Sequence, residues 1–211
     1  MGRSARPARA GAPDAPTLVI ACGALAREIT QLIDANGWRE RIRVTCLPAI
    51  LHNRPERIPE LLRQAIRAGR RRHGRIMVAY ADCGTGGLID RVLEEEGAER
   101  IAGAHCYEFY AGRALFARLG DEDPACFYLT DYLARHFDRL VIAGLGLDRH
   151  PELRDDYFRH YTRLVYLAQT DDPALCAKAE AAARRLGLIY EHRRTGYGEL
   201  GDFVAAAARP H

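Results

Sequence analysis

Short β-branched apolar runs alternate with amphipathic stretches along nearly the whole chain, and this alternation limits the fold more than any other feature. TLVIA (Thr17 to Ala21), RIRVTCL, RIMVAY, RLVIAG, RLVYLAQ and LIYEHRR read as strands, with ERIAG as a shorter one. The stretches between them carry helical periodicity: Ile58, Leu61, Leu62, Ala65 and Ile66 share one face of the segment 56–68. Strands joined by helices pair in parallel, because each helix returns the chain to the same end of the sheet. The sequence therefore predicts an α/β fold of three layers, a mainly parallel sheet with helices on both faces.

Punctuation residues set the boundaries. Asn36-Gly37 ends a helix that begins near Leu25, and Thr130 or Asp131 caps YLARHF. Asp171 or Asp172 caps a helix with Pro173 in its first turn and Gly187 at its stop. VIACGAL, VAYADCG and VIAGLGL each read as a strand ending in a small-residue turn, a weak internal echo. Cys126, after DEDPA, falls in no clear element. No break in composition demands a linker, so residues 17–211 read as one compact α/β domain, with two lobes as an option. Residues 1–16, basic and rich in Ala, Pro and Gly, read as a disordered tail.

Composition excludes several classes. A hydrophobic content of 48% and a charged content of 28% are ordinary for a soluble globular chain. The net charge of +3 is too small to argue for nucleic acid, and the basic run from Arg67 to Arg75 reads as a helix end. No apolar run approaches the roughly 18 residues of a membrane span, and the N-terminus lacks a secretory apolar core. The expected location is the cytoplasm, where the 6 cysteines stay reduced.

Three of those cysteines stand apart. Cys22 ends the first strand, Cys83 follows VAYAD, and Cys106 enters a helix; small residues flank each. In an open parallel sheet the carboxyl edge is where ligands bind. Three thiols there point to a metal site with an open position, either a four-iron four-sulfur cluster or zinc. Their spacing matches neither zinc-ribbon nor C-x-x-C patterns, so such a site is assembled from distant loops. Gly23 and Gly84 allow close approach of the backbone and are the candidate cofactor-binding positions. Cys46 and Cys176 read instead as small buried hydrophobes.

The proton-handling candidates are His52, Asp82 and Glu108. His52 serves as a ligand, a base or a loop brace; Asp82 and Glu108 serve either in acid–base work or as helix caps. His105, next to Cys106, fits an outer role better than shared ligation. A small-molecule substrate follows from this set. The expected chemistry is a lyase or desulfurase step on a cluster, or zinc-assisted methyl transfer to a thiol. A non-catalytic metal carrier and a metal-free enzyme with one nucleophilic cysteine are the alternatives.

The segments IACGALAREI, CLPAILHNRPERIP, VAYADCGTGGLID and GAHCYEFYAG, with DYLARHFDRLVIAGLGLDRHPELRD and LVYLAQTDDP, together resemble the bacterial and archaeal family catalogued as domain of unknown function 1638. The likeness runs from about Leu18 to Phe203. The matched motif positions are Cys22, His52, Asn53, Asp82, Cys83, Gly84, His105, Cys106 and Glu108. The resemblance implies an association with corrinoid-dependent methyl transfer from methylamines or betaines, and hence a corrinoid methyltransferase system as a partner.

Overall fold

The computed structural model describes residues 15–210, so most of the predicted basic tail lies outside the described residues. Two compact units divide the chain. One is built from residues up to Cys106 together with those from Leu200 onward; the other runs from Tyr107 to Glu199.

The first unit holds β1 (Thr17–Cys22), α1 (Ala26–Ala35), β2 (Ile42–Leu47), α2 (Ile58–Gly69), β3 (Ile76–Ala79), α3 (Leu88–Glu96) and β4 (Glu99–Arg100). Its sheet has the order β2-β1-β3-β4, and every pairing is parallel. β1 lies inside the sheet and all six of its residues are buried, as its uninterrupted apolar run demands. From β1 the chain adds β2 on one side and then β3 on the other. That reversal opens a crevice between the carboxyl ends of β1 and β3, the usual ligand position in such sheets.

The second unit holds α5 (Arg113–Glu122), β5 (Cys126–Leu129), α6 (Asp131–Arg135), α7 (Leu153–Phe158), β6 (Arg163–Ala168), α8 (Pro173–Leu186) and β7 (Ile189–Arg194). Its sheet runs β5-β6-β7, again parallel throughout. The strand period of two divides β6 between two cores. Leu164, Tyr166 and Ala168 pack with Leu175, Ala179 and Ala183 of α8, while Val165 and Leu167 join Leu119 of α5. Helices thus cover both faces of this sheet, as the three-layer reading requires. Two further helices cross the unit boundary in sequence, α4 (Cys106–Ala111) and α9 (Gly198–Ala207).

Most helix ends fall where the punctuation put them. Thr130 caps α6 through its hydroxyl, and Asp172 caps α8, which starts at Pro173 and stops at Gly187. RLVIAG is the main exception. Residues 138–142 form a π-helical turn, with Ala143 N donating to Asp138 O and Leu147 N to Ile142 O, each at 2.8 Å. Four apolar residues satisfy a buried helical face as well as a strand. The third member of the proposed internal echo is therefore no strand. CFYL, which no pattern flagged, is β5. Cys46 is also corrected: it lies on the edge strand β2 and is exposed.

Candidate functional site

Cys22 is the last residue of β1 and is 3% exposed. Its sulfur accepts from Ala24 N at 3.4 Å, capping a short 3-10 turn over Gly23–Leu25. A Cβ at Gly23 would meet Leu47 O at 3.1 Å and Ala49 N at 3.2 Å. The glycine is needed because the chain leaving β2 crosses directly over it, which makes Gly23 a packing position more than a cradle for a cofactor.

That crossing segment carries His52 to the crevice. His52 sits in a 3-10 segment, Ala49–Asn53, with Nδ1 at 2.9 Å from Ala49 O and 3.9 Å from Cys22 Sγ. A carbonyl only accepts, so Nδ1 carries the proton and the basic lone pair is on Nε2. The Cys83 sulfur, as hydrogen-bond partner and as charge, raises the basicity of the imidazole above that of a free histidine; desolvation opposes it and the Ala49 carbonyl adds to it. The ring lies nearly parallel to Tyr80, 16° between planes and 6.4 Å between centroids.

Tyr80, directly after β3, is fully buried, and among the described residues its hydroxyl makes no hydrogen bond of ordinary geometry. Burial holds this phenol firmly in its neutral form, reinforced by the sulfurs of Cys22, Cys83 and Cys46. Burial likewise raises the Cys22 thiol, with Ala24 N and the Tyr80 hydroxyl pulling the other way. Tyr80 was not singled out from the sequence; its position at the end of an unbroken buried run, IMVAY, was the available signal.

The loop after β3 is built around Asp82. Its carboxylate accepts from the Thr85 hydroxyl at 2.8 Å, Gly87 N at 2.8 Å and Gly86 N at 3.2 Å. Burial raises this carboxyl, but those donors and the charge of Arg100 hold it below the usual carboxylate range. Asp82 therefore braces the loop. The brace keeps Cys83 at φ +52, a left-handed conformation that non-glycine residues rarely adopt. Gly84 follows at φ +79 with open space around its missing Cβ.

Backbone bonds tie this loop to the approach to Cys106: Asp82 N donates to Gly103 O at 3.3 Å and Cys83 N to Ala104 O at 3.2 Å. Arg100, also missed in the sequence, fixes that approach from below. It donates to the carbonyls of Ile101 and Gly103, both at 3.0 Å, and grips Asp90 with two bonds of 2.6 and 3.0 Å. Cys106 begins α4, half-buried, and Glu108 stands in that helix's first turn within the second unit.

The side chains that converge are thus Cys22, His52, Tyr80 and Cys83. Among the described residues no group of three or more Cys, His, Asp or Glu side chains is arranged to hold a metal ion. The thiols of Cys22 and Cys83 gather about the His52 imidazole. Their accessibility differs: Cys22 is buried, Cys83 is half-buried, and His52 is exposed at the rim.

Fold and site together define a parallel α/β protein with a thiol–imidazole centre at the switch point of its first sheet. The chain belongs to the family described as protein of unknown function (DUF1638), whose model matches residues 46–204. The match takes in His52, Tyr80, Cys83 and Cys106 and begins beyond Cys22. No curated protein and no solved structure matches the chain significantly. Among the described residues, no helix is long and apolar enough to cross a membrane.

Proposed function

We propose that the chain is an enzyme that acts on a small molecule by nucleophilic thiol chemistry, with Cys83 as nucleophile and His52 as its base. The observation that carries this reading is one imidazole coupled to two thiols of unequal exposure at the sheet's switch point. Because Nδ1 is committed to Ala49 O, the Cys83 proton passes to Nε2, giving a thiolate–imidazolium pair. The thiolate attacks an electrophilic carbon of the substrate, so that an S–C bond forms and the bond to the leaving group breaks. The leaving group departs with the electron pair of that bond and takes the proton from Nε2. Water or a second acceptor then removes the group from sulfur. Tyr80 and Cys22, both held neutral by burial, are the buried O–H and S–H beside the reacting sulfur.

The second reading is a metal: zinc or an iron–sulfur cluster held by Cys22, Cys83 and Cys106, in an enzyme or in an accessory protein of a corrinoid-dependent methyl-transfer system. The donor chemistry favours it, since thiolate and imidazole suit zinc and thiolate suits a cluster. It requires side chains to move from their present arrangement.

Alkylation of the metal-free protein by iodoacetamide, followed residue by residue, tests the first reading. Exposed Cys46 provides the internal reference. Cys83 is expected to react faster than Cys46, and His52→Asn to slow Cys83 by about tenfold or more while leaving Cys46 unchanged. Equal rates at Cys83 and Cys46, or no effect of His52→Asn, sink the thiol mechanism. Metal and sulfide analysis of anaerobically purified protein addresses the second reading. About four irons with sulfide, or about one zinc, lost in Cys22→Ser and Cys83→Ser but kept in Cys46→Ser, would establish it.

A further inference from the structure

The second unit contains a cavity of about 520 Å³ that the thiol chemistry does not use. One wall is a single face of α8: Lys178, Ala181, Ala182 and Arg185 recur at helical spacing. The other wall is the chain from Ala134 to Arg139, where α6 passes into the π-helical turn. Alanines at 134, 181 and 182 leave the space open, and long basic side chains stand around it. Such a volume lies within the range of small-molecule pockets, and π-helical turns are frequent at functional sites.

The charges around this cavity are unbalanced. Arg135, Arg139, Lys178 and Arg185 line it with His136, against one carboxylate, Asp138. Asp138 is taken by Arg185 at 2.6 Å. Among the described residues, Arg135, Arg139 and Lys178 have no carboxylate partner. Like charges held around a concave surface repel one another, and a bound anion would relieve that repulsion and supply acceptors for their N–H groups.

From this arrangement we infer that the cavity between α8 and the π-helical turn is a binding site for a small phosphorylated molecule. The cations converge on it electrostatically as well as geometrically: burial first, then Arg139, Arg135 and Lys178, hold His136 below the ordinary histidine value. Guanidinium groups match phosphate oxygens in pairs, and the alanines in the lining leave room for a compact ligand. The chain's net charge of only +3 also separates this local concentration from a generally basic surface.

Isothermal titration of the full-length protein with pyrophosphate and with adenosine triphosphate tests the assignment. Saturable one-to-one binding of either probe is expected, weakened about tenfold or more by Arg139→Gln and by Lys178→Gln. Ala181→Leu, which adds bulk to the lining without touching a charge, is expected to remove binding while the thermal midpoint stays near that of the parent. Arg71→Gln, in the basic run of the first unit, should change nothing. Absence of saturable binding by both probes overturns the site. So does binding that survives Ala181→Leu, or that falls equally with Arg71→Gln, because either marks diffuse surface charge. Tighter binding of a single-stranded oligonucleotide than of pyrophosphate through the same residues would also overturn it.

Discussion

Asp82 shows how little separates a catalytic carboxylate from a structural one in a sequence. An acidic residue beside a candidate nucleophile fits either role, and only the destination of its lone pairs decides. Here they go to Thr85, Gly86 and Gly87. The brace sustains a backbone conformation at Cys83 that costs on the order of 1–3 kcal/mol and persists only where its surroundings over-determine it. Asp82→Ala is expected to lower stability by about 1–3 kcal/mol, read as a shift of the urea midpoint, because two amides and a hydroxyl lose their acceptor. The parent's advantage over this variant depends on pH with a fixed sign. The folded carboxyl titrates below its ordinary 3.8, so the contribution is fully present above that value and disappears as pH falls through the depressed one. Equal acid sensitivity of parent and variant would contradict the brace. At this scale the sequence marked Cys22, His52 and Cys83 and passed over Tyr80 and Arg100. Thiols and imidazoles announce their chemistry by residue type. A buried tyrosine at the end of an apolar run looks like core, and an arginine gripping carbonyls looks like surface.

The helices whose ends carry unambiguous chemistry were legible, and the segments defined only by hydrophobicity were less so. α8 is bounded as its residues dictate: the Asp172 carboxylate accepts from Ala174 N at 2.9 Å, Pro173 fits a turn with no donor to satisfy, and Gly187 takes φ +74. Asp172→Ala should therefore cost about 1 kcal/mol, measurable as a lower thermal midpoint, while Asp171→Ala, which instead loses the surface pair with Arg194, should cost less. The reverse order would place the cap at the wrong residue. RLVIAG and CFYL had no such markers. The first is a short apolar run whose burial a π-helical turn meets as well as a strand does. The second is four residues long and half-covered, with the acidic run DEDPA before it and no periodicity to separate it from a loop. Cys46 misled for a related reason: an apolar-looking strand at the edge of a sheet exposes one face, and the sequence does not say which strand is the edge.

The first unit takes residues from both sides of the second: its sheet comes from residues before Cys106, and most of α9 belongs to it as well. Leu200, Val204 and Ala207 of α9 are buried. Two arginines of the first unit reach the far end of this helix, Arg75 donating to Ala206 O at 3.1 Å and Arg41 to Ala208 O at 3.4 Å. Cations on the last carbonyls stabilise a helix terminus. A chain stopped at Glu199 is expected to melt at a lower temperature, because it loses the buried face of α9 and the two arginine bonds at its end. An unchanged thermal midpoint would show that the first sheet closes without α9. The same interleaving gives synthesis on the ribosome a fixed order. Every residue of the thiol–imidazole pair has emerged long before α9, but the first unit is incomplete until residues 200–207 have been made. For that interval the nascent chain carries an unfinished first unit while the whole of the second is translated. Completion of the first unit is therefore a late event in the life of the polypeptide, set by gene order and elongation rate as much as by packing.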